Sequence, residues 1–266
     1  MAVWEWGIDM GILAGKRLLI TGVTLNTSIA YAVAQIAQAE GAEIVVSNFG
    51  RGMSLTRRVV HKLDPVPEVL ELNVTDAGQL AALPGQLRDR GFDRLDGLVH
   101  SIAYANPERA LGGAFLQTQW ADVSVAMHTS AYSLQSLTMA VRELLGAGSS
   151  VVGLTFDATV SWPTYDWMGV AKAALESTSR YLARYLGPDG IRCNLVAAGP
   201  VDTIAKKAIP GASSFNEVWQ QRAPLGWDAT DATPVAKAVV ALLSDWFPAT
   251  TGAMVHVDGG LHSTGA

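Results

Sequence analysis

The sequence predicts an α/β fold in which a parallel, doubly wound sheet carries helices on both faces. Three observations support this fold class. Short runs rich in β-branched and other apolar residues alternate with longer stretches of helical periodicity, and the alternation continues along all 266 residues. The fourth of these runs, at 95–102, is interpreted as a parallel strand buried on both faces. Hydrophobic residues make up 49% of the chain, which is enough for one large core.

Seven β-rich runs are expected to form the strands of this sheet. The run at 16–21 is followed by a turn that contains a glycine, and the run at 95–102 has an apolar centre at 97–99, as expected for a buried parallel strand. The seven predicted strands lie at 16–21, 42–49, 68–74, 95–102, 149–156, 191–199 and 253–260.

Helices are expected between these strands, where apolar residues recur every three to four positions. The first has Ile29, Val33 and Ile36 at this spacing and stops at Gly41. No internal repeat or linker interrupts the pattern, so we expect a single domain over 11–266, with residues 1–10 as an N-terminal extension. The other predicted helices lie at 54–63, 77–90, 120–145, 165–186, 214–221 and 233–244.

Composition and charge exclude several classes of protein. Nineteen basic and 24 acidic residues give a net charge of −5 with no run of Lys or Arg, so no nucleic-acid partner is expected. No apolar stretch reaches the roughly 20 residues of a membrane helix. We attribute the mean hydropathy of +0.22 to buried subunit surfaces. The single cysteine, Cys193, excludes an internal disulfide and a Cys-rich metal site. The N-terminus lacks the basic region of a secretory signal, so a cytoplasmic location is expected.

In a doubly wound parallel sheet, ligands bind beyond the carboxyl ends of the strands, so the residues after each strand are the candidates for function. After the first strand, Gly22, Ser28 and Ile29 lie where a dinucleotide pyrophosphate binds to a helix N-terminus. The usual G-x-G-x-x-G pattern is missing, since Gly22 is the only glycine in this turn. An ordinary turn capped by Ser28 is an equal alternative.

The ends of the next three strands also leave alternatives open. No acid follows the second strand to bind an adenosine ribose, so the residues there do not decide between NADH and NADPH. Phe49 is suited to an adenine face or to the core, and Asn73 and Val74 are suited to an adenine edge. After the fourth strand, His100 is expected to be a hydrogen-bonded core residue. The small Ser101 next to it would let the chain pass close to a cofactor.

The most informative pair is Tyr165 and Lys172, which follow the fifth strand. Seven residues make about two helical turns, so the two side chains point to nearly the same side, roughly 10 Å apart along the axis. A phenol and an ammonium in this arrangement can both reach one ligand. The alternative is a lysine that extends to solvent beside an unrelated tyrosine, and the spacing alone does not exclude it.

Together these strand ends resemble one enzyme family, the enoyl-acyl-carrier-protein reductases, which are a divergent branch of the Rossmann-like short-chain dehydrogenase/reductases. The resemblance covers about 11–260 and is strongest to the mycobacterial type, in segments such as TYDWMGVAKAALES, NLVAAGP and QRAPLGW. Other short-chain reductases carry Tyr-x3-Lys, which this chain does not contain. The matching motifs are Gly22 with Ser28-Ile29, His100-Ser101-Ile102, Phe156, Tyr165-x6-Lys172 and Ala197-Ala198-Gly199-Pro200.

The resemblance implies reduction of the 2,3 double bond of trans-2-enoyl thioesters, carried by acyl carrier protein or coenzyme A, in fatty-acid biosynthesis. It implies hydride transfer from NADH rather than NADPH, a homotetramer, and a substrate-binding loop at about 203–222. Tyr165 would donate a hydrogen bond to the thioester carbonyl, Lys172 would bind the nicotinamide ribose, and Phe156 would orient the substrate. The cofactor-binding residues would be Gly22, Ser28, Ile29, Phe49, Asn73, Val74, Ser101, Ile102, Ala103, Lys172, Val201 and Thr203.

Several positions depart from the mycobacterial type. Thr155 and Asn73 stand where that type has aspartates, Gly50 replaces an acid, and the substrate-binding loop is shorter. The Tyr165–Lys172 pair is intact, which disfavours an inactive cofactor-binding protein. A carbonyl reductase of the wider superfamily is disfavoured by the missing Tyr-x3-Lys motif. A specialised enzyme of a secondary pathway, with the same chemistry, is a further alternative.

Overall fold

The computed structural model of the protein describes residues 11–265. The N-terminal extension predicted at residues 1–10 lies outside the described residues. Seven strands are present in the described part of the chain. They are β1 (Arg17–Thr21), β2 (Glu43–Asn48), β3 (Glu68–Glu71), β4 (Leu95–His100), β5 (Leu145–Thr155), β6 (Arg192–Ala198) and β7 (Met254–Val257).

The strands form one sheet in the order β3-β2-β1-β4-β5-β6-β7, and every neighbouring pair is parallel. The predicted seven-stranded parallel sheet is therefore confirmed. The chain winds outward from β1 to β3 and then continues from β4 on the other side of β1. The switch point thus lies between β1 and β4, where a doubly wound sheet opens a crevice for a ligand.

Helices cover both faces of the sheet, as predicted. α1 (Ile29–Ala39) and α9 (Thr233–Leu243) pack on one face, and α3 (Ala77–Arg88), α5 (Ser133–Ala140) and α6 (Asp166–Leu186) pack on the other. Among residues 11–265, no helix is both long enough and apolar enough to cross a membrane. The remaining α-helices are α2 (Gly52–Val59), α4 (Trp120–Met127), α7 (Ile204–Lys207) and α8 (Ser213–Arg222).

The sheet separates two hydrophobic cores, because successive residues of a strand point to opposite faces. In β1, Leu18 and Ile20 are fully buried on the α1 and α9 side, and Leu19 is fully buried on the other side. Burial on both faces explains why the middle of this strand is a continuous apolar run in the sequence. Cys193 on β6 lies in the second core, where burial raises the pKa of its thiol to about 12.

The helix predicted at 120–145 is wrong in its extent. A π-helical turn at His128–Tyr132 separates α4 from α5, and β5 already begins at Leu145. Ser130 lies in that turn, where its hydroxyl accepts the N–H of Tyr104 at 2.9 Å and donates to the C=O of the same residue at 3.0 Å. A serine that bonds the backbone of a neighbouring loop favours such an irregular turn. These two hydrogen bonds therefore connect the loop after β4 to the π-helical turn.

Thr21 ties β1 to β4 at the switch point. Its buried hydroxyl donates to the C=O of Val99 at 2.8 Å and accepts the N–H of Ser101 at 3.2 Å. The next residue, Gly22, has a φ of +81°, and a Cβ at this position would lie 2.0 Å from the carbonyl oxygen of Ser101. The end of β1 and the turn after β4 can approach this closely only because residue 22 is glycine.

Gly22→Ala is expected to destabilise the protein more than Gly15→Ala does. Both glycines have a positive φ, +81° and +72°, but a Cβ at Gly15 has no neighbour within 4 Å. Backbone strain costs about 1–3 kcal/mol at either position, and the collision with backbone adds to this only at Gly22. Urea denaturation of the wild type and the two variants measures the difference. Equal losses in the free energy of unfolding would contradict the packing argument.

Candidate active site

A cavity of about 390 Å³ opens at the carboxyl ends of the central strands. Its lining extends from the N-terminus of α1, past the switch point, to α6 and the segment after β6. The structure thus brings together residues that lie far apart in the sequence. The predicted site residues that line the cavity are Gly22, Ser28, Ile29, Phe49, Val74, Ser101, Ile102, Ala103, Phe156, Tyr165, Lys172, Val201 and Thr203.

Asn73 is the predicted site residue that does not line the cavity. Its side-chain oxygen accepts hydrogen bonds from the N–H and the hydroxyl of Thr75, at 3.1 and 2.8 Å. The carboxamide therefore stabilises the turn after β3, while the neighbouring Val74 does line the cavity. Contact between Asn73 and an adenine edge stays a prediction.

Ser28 caps the N-terminus of α1 at the edge of the cavity. Its Oγ accepts the N–H of Tyr31 at 3.3 Å and donates to the C=O of Leu25 at 2.7 Å. The other N–H groups of a first helical turn have no partner within the helix, and the helix dipole adds partial positive charge there. This end of the cavity therefore suits an anionic group. Capping, the alternative reading of Ser28, is compatible with that role.

Phe49 is not a core residue, so this alternative is wrong. The residue is 49% exposed and lines the cavity at the end of β2. Beside it, the Nδ2 group of Asn48 donates to the C=O of Val23 and to the hydroxyl of Thr56, both at 2.9 Å. These bonds fix the turn that carries Phe49, whose ring offers a flat apolar surface to an aromatic base.

Tyr165 and Lys172 both lie inside the protein at the cavity wall. Tyr165 immediately precedes α6 and is 7% exposed, and Lys172 lies two turns further along and is 6% exposed. The Nζ of Lys172 donates to the C=O of Leu154, at the end of β5, at 2.8 Å. A lysine that extends to solvent is thereby excluded. One helix places a phenol and an ammonium against the same cavity.

Two residues with unusual backbone conformations flank Tyr165. Thr164 has a φ of +63° and Asp166 a φ of +42°, values that non-glycine residues rarely adopt. Backbone N–H groups of the loop at 112–114 donate to the C=O of Thr164 at 2.9 Å and to the carboxylate of Asp166 at 2.6 and 3.1 Å. Strain of this kind persists where surrounding contacts enforce it, and it is concentrated at functional sites. Here it determines where the phenol lies.

Burial determines the protonation of the pair. It raises the pKa of the Tyr165 phenol above its ordinary value, and the negative charge of Glu176 raises it further. Burial also lowers the pKa of Lys172 to about 8, an effect that Glu176 partly opposes. At neutral pH, Tyr165 is therefore a neutral hydrogen-bond donor and Lys172 is mostly a cation.

Glu176 belongs to the site, although the sequence reasoning missed it. It is buried one helical turn after Lys172 on α6. Its Oε1 accepts the hydroxyl of Thr155 and the N–H of Ala158, both at 3.1 Å. Thr155, a cavity-lining residue at the end of β5, thus donates to a buried carboxylate. The sequence feature that could have identified Glu176 is its spacing of four residues from Lys172, which places both side chains on one face of α6.

His100 lies in the core, as the sequence indicated. It is fully buried at the end of β4, and its Nε2 lies 2.7 Å from the hydroxyl of Ser133. Burial, together with the positive charge of Lys172, lowers the pKa of the imidazole to about 3. The ring is therefore neutral at physiological pH.

The segment at 203–222, which was predicted as the substrate-binding loop, contains the two helices α7 and α8. Thr203 caps α7 by accepting the N–H of Lys206 at 3.1 Å. The Nζ of Lys206 donates to the side chains of Asp202 and Asn216. This ammonium therefore joins α7 to α8 at the edge of the cavity.

Four aromatic rings pack together beside Tyr165, and we call them the aromatic cluster: Phe156, Trp162, Phe215 and Trp219. The centroids of Phe156 and Tyr165 are 5.2 Å apart in an edge-to-face arrangement. The other three rings each lie within 5.6 Å of Phe156. The sequence placed Phe215 and Trp219 in the segment expected to cover the acyl chain, but it did not indicate that they pack on Phe156 with Trp162, because α8 is distant in the sequence.

Known proteins resemble this chain over most of its length. A family model described as Enoyl-(Acyl carrier protein) reductase matches residues 22–262. The chain is 44% identical over 263 residues to the enoyl-acyl-carrier-protein reductase (NADH) of Mycolicibacterium smegmatis, covering 94% of this chain and 97% of that relative. The chain belongs to the enoyl-acyl-carrier-protein reductase family.

Two further members of this family show the same extent of similarity. The Mycobacterium avium enoyl-acyl-carrier-protein reductase (NADH) is 42% identical over 262 residues, or 94% of this chain and 97% of the relative. The Aquifex aeolicus enoyl-acyl-carrier-protein reductase (NADH) FabI is 38% identical over 258 residues, or 96% and 94%. The resemblance found in the strand ends is thereby confirmed.

Proposed function

We propose that this protein reduces the 2,3 double bond of trans-2-enoyl thioesters, carried by acyl carrier protein or coenzyme A, with NADH as the reductant in fatty-acid biosynthesis. The observation that carries the proposal is the buried Tyr165–Lys172 pair, at the wall of a cavity that extends to the N-terminus of α1. The names of the three relatives, each an NADH-dependent enoyl-acyl-carrier-protein reductase, support it.

The residues of the cavity fit a dinucleotide. The N-terminus of α1 presents free N–H groups to a pyrophosphate. Phe49 exposes its ring to an adenine, and the small residues Ser101 and Ala103 leave the middle of the cavity open. Within the proposal, Ser28 and Ile29 bind the pyrophosphate. The other groups that would hold the cofactor are Gly22, Phe49, Asn73, Val74, Ser101, Ile102, Ala103, Lys172, Val201 and Thr203.

A preference for NADH over NADPH is supported by Glu71. No acid follows β2, but the N–H of Gly50 donates to Glu71 Oε1 at 3.2 Å. A carboxylate therefore lies beside the turn that carries Phe49, where the adenosine ribose would lie. Its negative charge would repel the 2′-phosphate of NADPH.

In the proposed reaction, bound NADH would supply the hydride that adds to the β-carbon of the enoyl thioester, and a proton from Tyr165 or from water would complete the reduction at the α-carbon. As negative charge develops on the thioester oxygen, the Tyr165 O–H donates a hydrogen bond to it. The raised pKa keeps this phenol protonated, so the donor is always present. Lys172 binds the nicotinamide ribose and adds positive potential near the same oxygen. Phe156, packed against Tyr165, keeps the substrate beside the reacting atoms and excludes water.

The function is tested by following NADH and NADPH oxidation with trans-2-dodecenoyl-coenzyme A. Wild-type protein is expected to oxidise NADH in preference to NADPH. Tyr165→Phe removes one hydrogen-bond donor to the developing charge and is expected to lower kcat by about 100-fold or more. Its Kd for NADH, measured by fluorescence titration, is expected to stay near the wild-type value. Absence of turnover in the wild type, or full activity in the variant, would contradict the proposal.

The affinity for NADH is expected to fall as pH rises through about 8. Lys172 in the free protein loses its proton over this range, because burial has lowered its pKa to about 8. The anionic cofactor favours the protonated form, so the Kd should increase by up to about tenfold per pH unit above that value. Lys172→Met, which keeps an apolar stem, should bind NADH more weakly and with a flat profile. The same pH profile in the variant would assign the titration to another group.

The proposal includes a homotetramer in the cytoplasm. Aromatic side chains are exposed on α4 and α6, among them Trp120 at 76%, Tyr181 at 61% and Tyr185 at 70%. Exposed apolar helix faces of this kind mark subunit contacts.

Light scattering at micromolar concentration should give four times the 28.1 kDa mass of one chain. Asp in place of both Tyr181 and Tyr185 should lower the mass, because charges would enter an apolar contact. Trp246→Asp, at an exposed position outside α4 and α6, is the control and should leave the mass unchanged. A wild-type protein with the mass of one chain would refute the assembly.

A further inference from the structure

A second cavity, also of about 390 Å³, lies behind the aromatic cluster. Phe156 and Phe215 line both cavities, whereas Trp162 and Trp219 line only the second. The rest of its lining comes mainly from the segment after β5, from α8, and from β7 with the turn that follows it. The two cavities are therefore neighbours across four aromatic rings.

These rings form a continuous partition. The centroid of Phe156 is 5.0 Å from that of Trp162 and 5.6 Å from those of Phe215 and Trp219. Trp162 and Trp219 are 5.2 Å apart. Rings at these separations are in van der Waals contact. An acyl chain that lies beside Tyr165 cannot pass between them.

The partition is also held in place. The indole Nε1 of Trp162 donates to the C=O of Asp157 at 2.6 Å, and the carboxylate of Asp157 lies 3.1 Å from Nε2 of His256. Phe215 and Trp219 are 4% and 2% exposed, within a small hydrophobic cluster that includes neighbouring residues of α8. Rings buried in such a cluster are close-packed against their neighbours.

Resting on the proposed function, we infer that this partition limits the length of the acyl chain, with Phe215 as the determining residue. Phe156 is in edge-to-face contact with Tyr165, so the partition stands directly beside the reacting thioester. On the near side, apolar residues that include Leu111, Met168 and Ile209 line the space left for the acyl chain. Short and medium acyl chains fill this space, and the additional carbons of longer chains stay in water.

The magnitude follows from the hydrophobic effect. Each methylene that is moved from water into an apolar pocket raises affinity about fourfold. Wild-type kcat/KM should therefore rise with chain length and then level off once the near space is full. Without the Phe215 ring the two cavities join, and Val218, Trp219 and Leu261 can contact the chain. Burial of two more methylenes would then raise the efficiency for a long substrate by about tenfold or more.

The test compares the wild type with Phe215→Ala on the octenoyl, dodecenoyl and hexadecenoyl thioesters of coenzyme A. The ratio of kcat/KM for hexadecenoyl to that for octenoyl substrate is expected to rise at least about tenfold in the variant. Saturated hexadecanoyl-coenzyme A is not reducible, so its Kd from calorimetry gives the same comparison without turnover and should fall. A kcat/KM ratio and a Kd that match the wild type would overturn the inference.

Two control variants separate the partition from general loosening of the protein. Phe215→Leu keeps most of the side-chain volume and should retain the wild-type ratio. Phe92→Ala truncates a ring of equal size that is 7% exposed and lines neither cavity, and it should also retain that ratio. A ratio that rises equally in either control would count against the partition.

Different experimental results would contradict the inference about the partition and the proposed function. If Phe215→Ala does not fold, Phe215→Val, which removes the same ring with a smaller loss of volume, is measured on the same substrates. A wild-type protein that reduces none of the three thioesters would overturn the proposed function. Wild-type activity with a ratio that neither variant changes would overturn the partition alone.

Discussion

The hydrogen bond from the Lys172 ammonium to the carbonyl of Leu154 is the contact on which the rest of the site depends. A buried cation is costly unless its charge is balanced and its protons are bonded. Here the carbonyl of Leu154 at the end of β5 accepts a hydrogen bond from the ammonium, and Glu176 balances part of the charge. The bond holds α6 against β5. Because Tyr165 lies two turns earlier on the same helix, its phenol is placed by the same contact.

One turn later, Glu176 makes a second contact between α6 and the end of β5. Glu176 accepts hydrogen bonds from Thr155 and Ala158, so α6 is joined to the residues on both sides of Phe156. The aromatic ring beside the phenol is thus positioned by a charged pair on one helix. The unusual backbone at Thr164 and Asp166 completes the arrangement, since the loop at 112–114 fixes the point from which α6 starts. Contacts from a strand, a helix and a loop together determine the position of the Tyr165 phenol oxygen.

Much of the fold could be predicted from the sequence, and all but one of the predicted site residues line the cavity. Strand and helix periodicity reports which face of an element is buried, and the topology of a parallel sheet then brings the strand ends to one edge. Periodicity does not report which distant segment packs there. The contacts of Phe156 with Phe215, and the bond from Ser130 to Tyr104 that accompanies the break in the helix at 120–145, both depend on such packing. Glu176 was readable from its spacing to Lys172, but the spacing alone did not indicate that both were buried.

The single thiol of this chain has a practical consequence. Cys193 is fully buried on β6, and its raised pKa leaves almost no thiolate at neutral pH. Alkylating reagents therefore have no native target in the folded protein. A cysteine introduced at an exposed position of the segment over the cavity, such as Lys207, would be the unique site for a fluorophore or a spin label. Movements of that segment could then be observed by spectroscopy without first removing the natural sulfur.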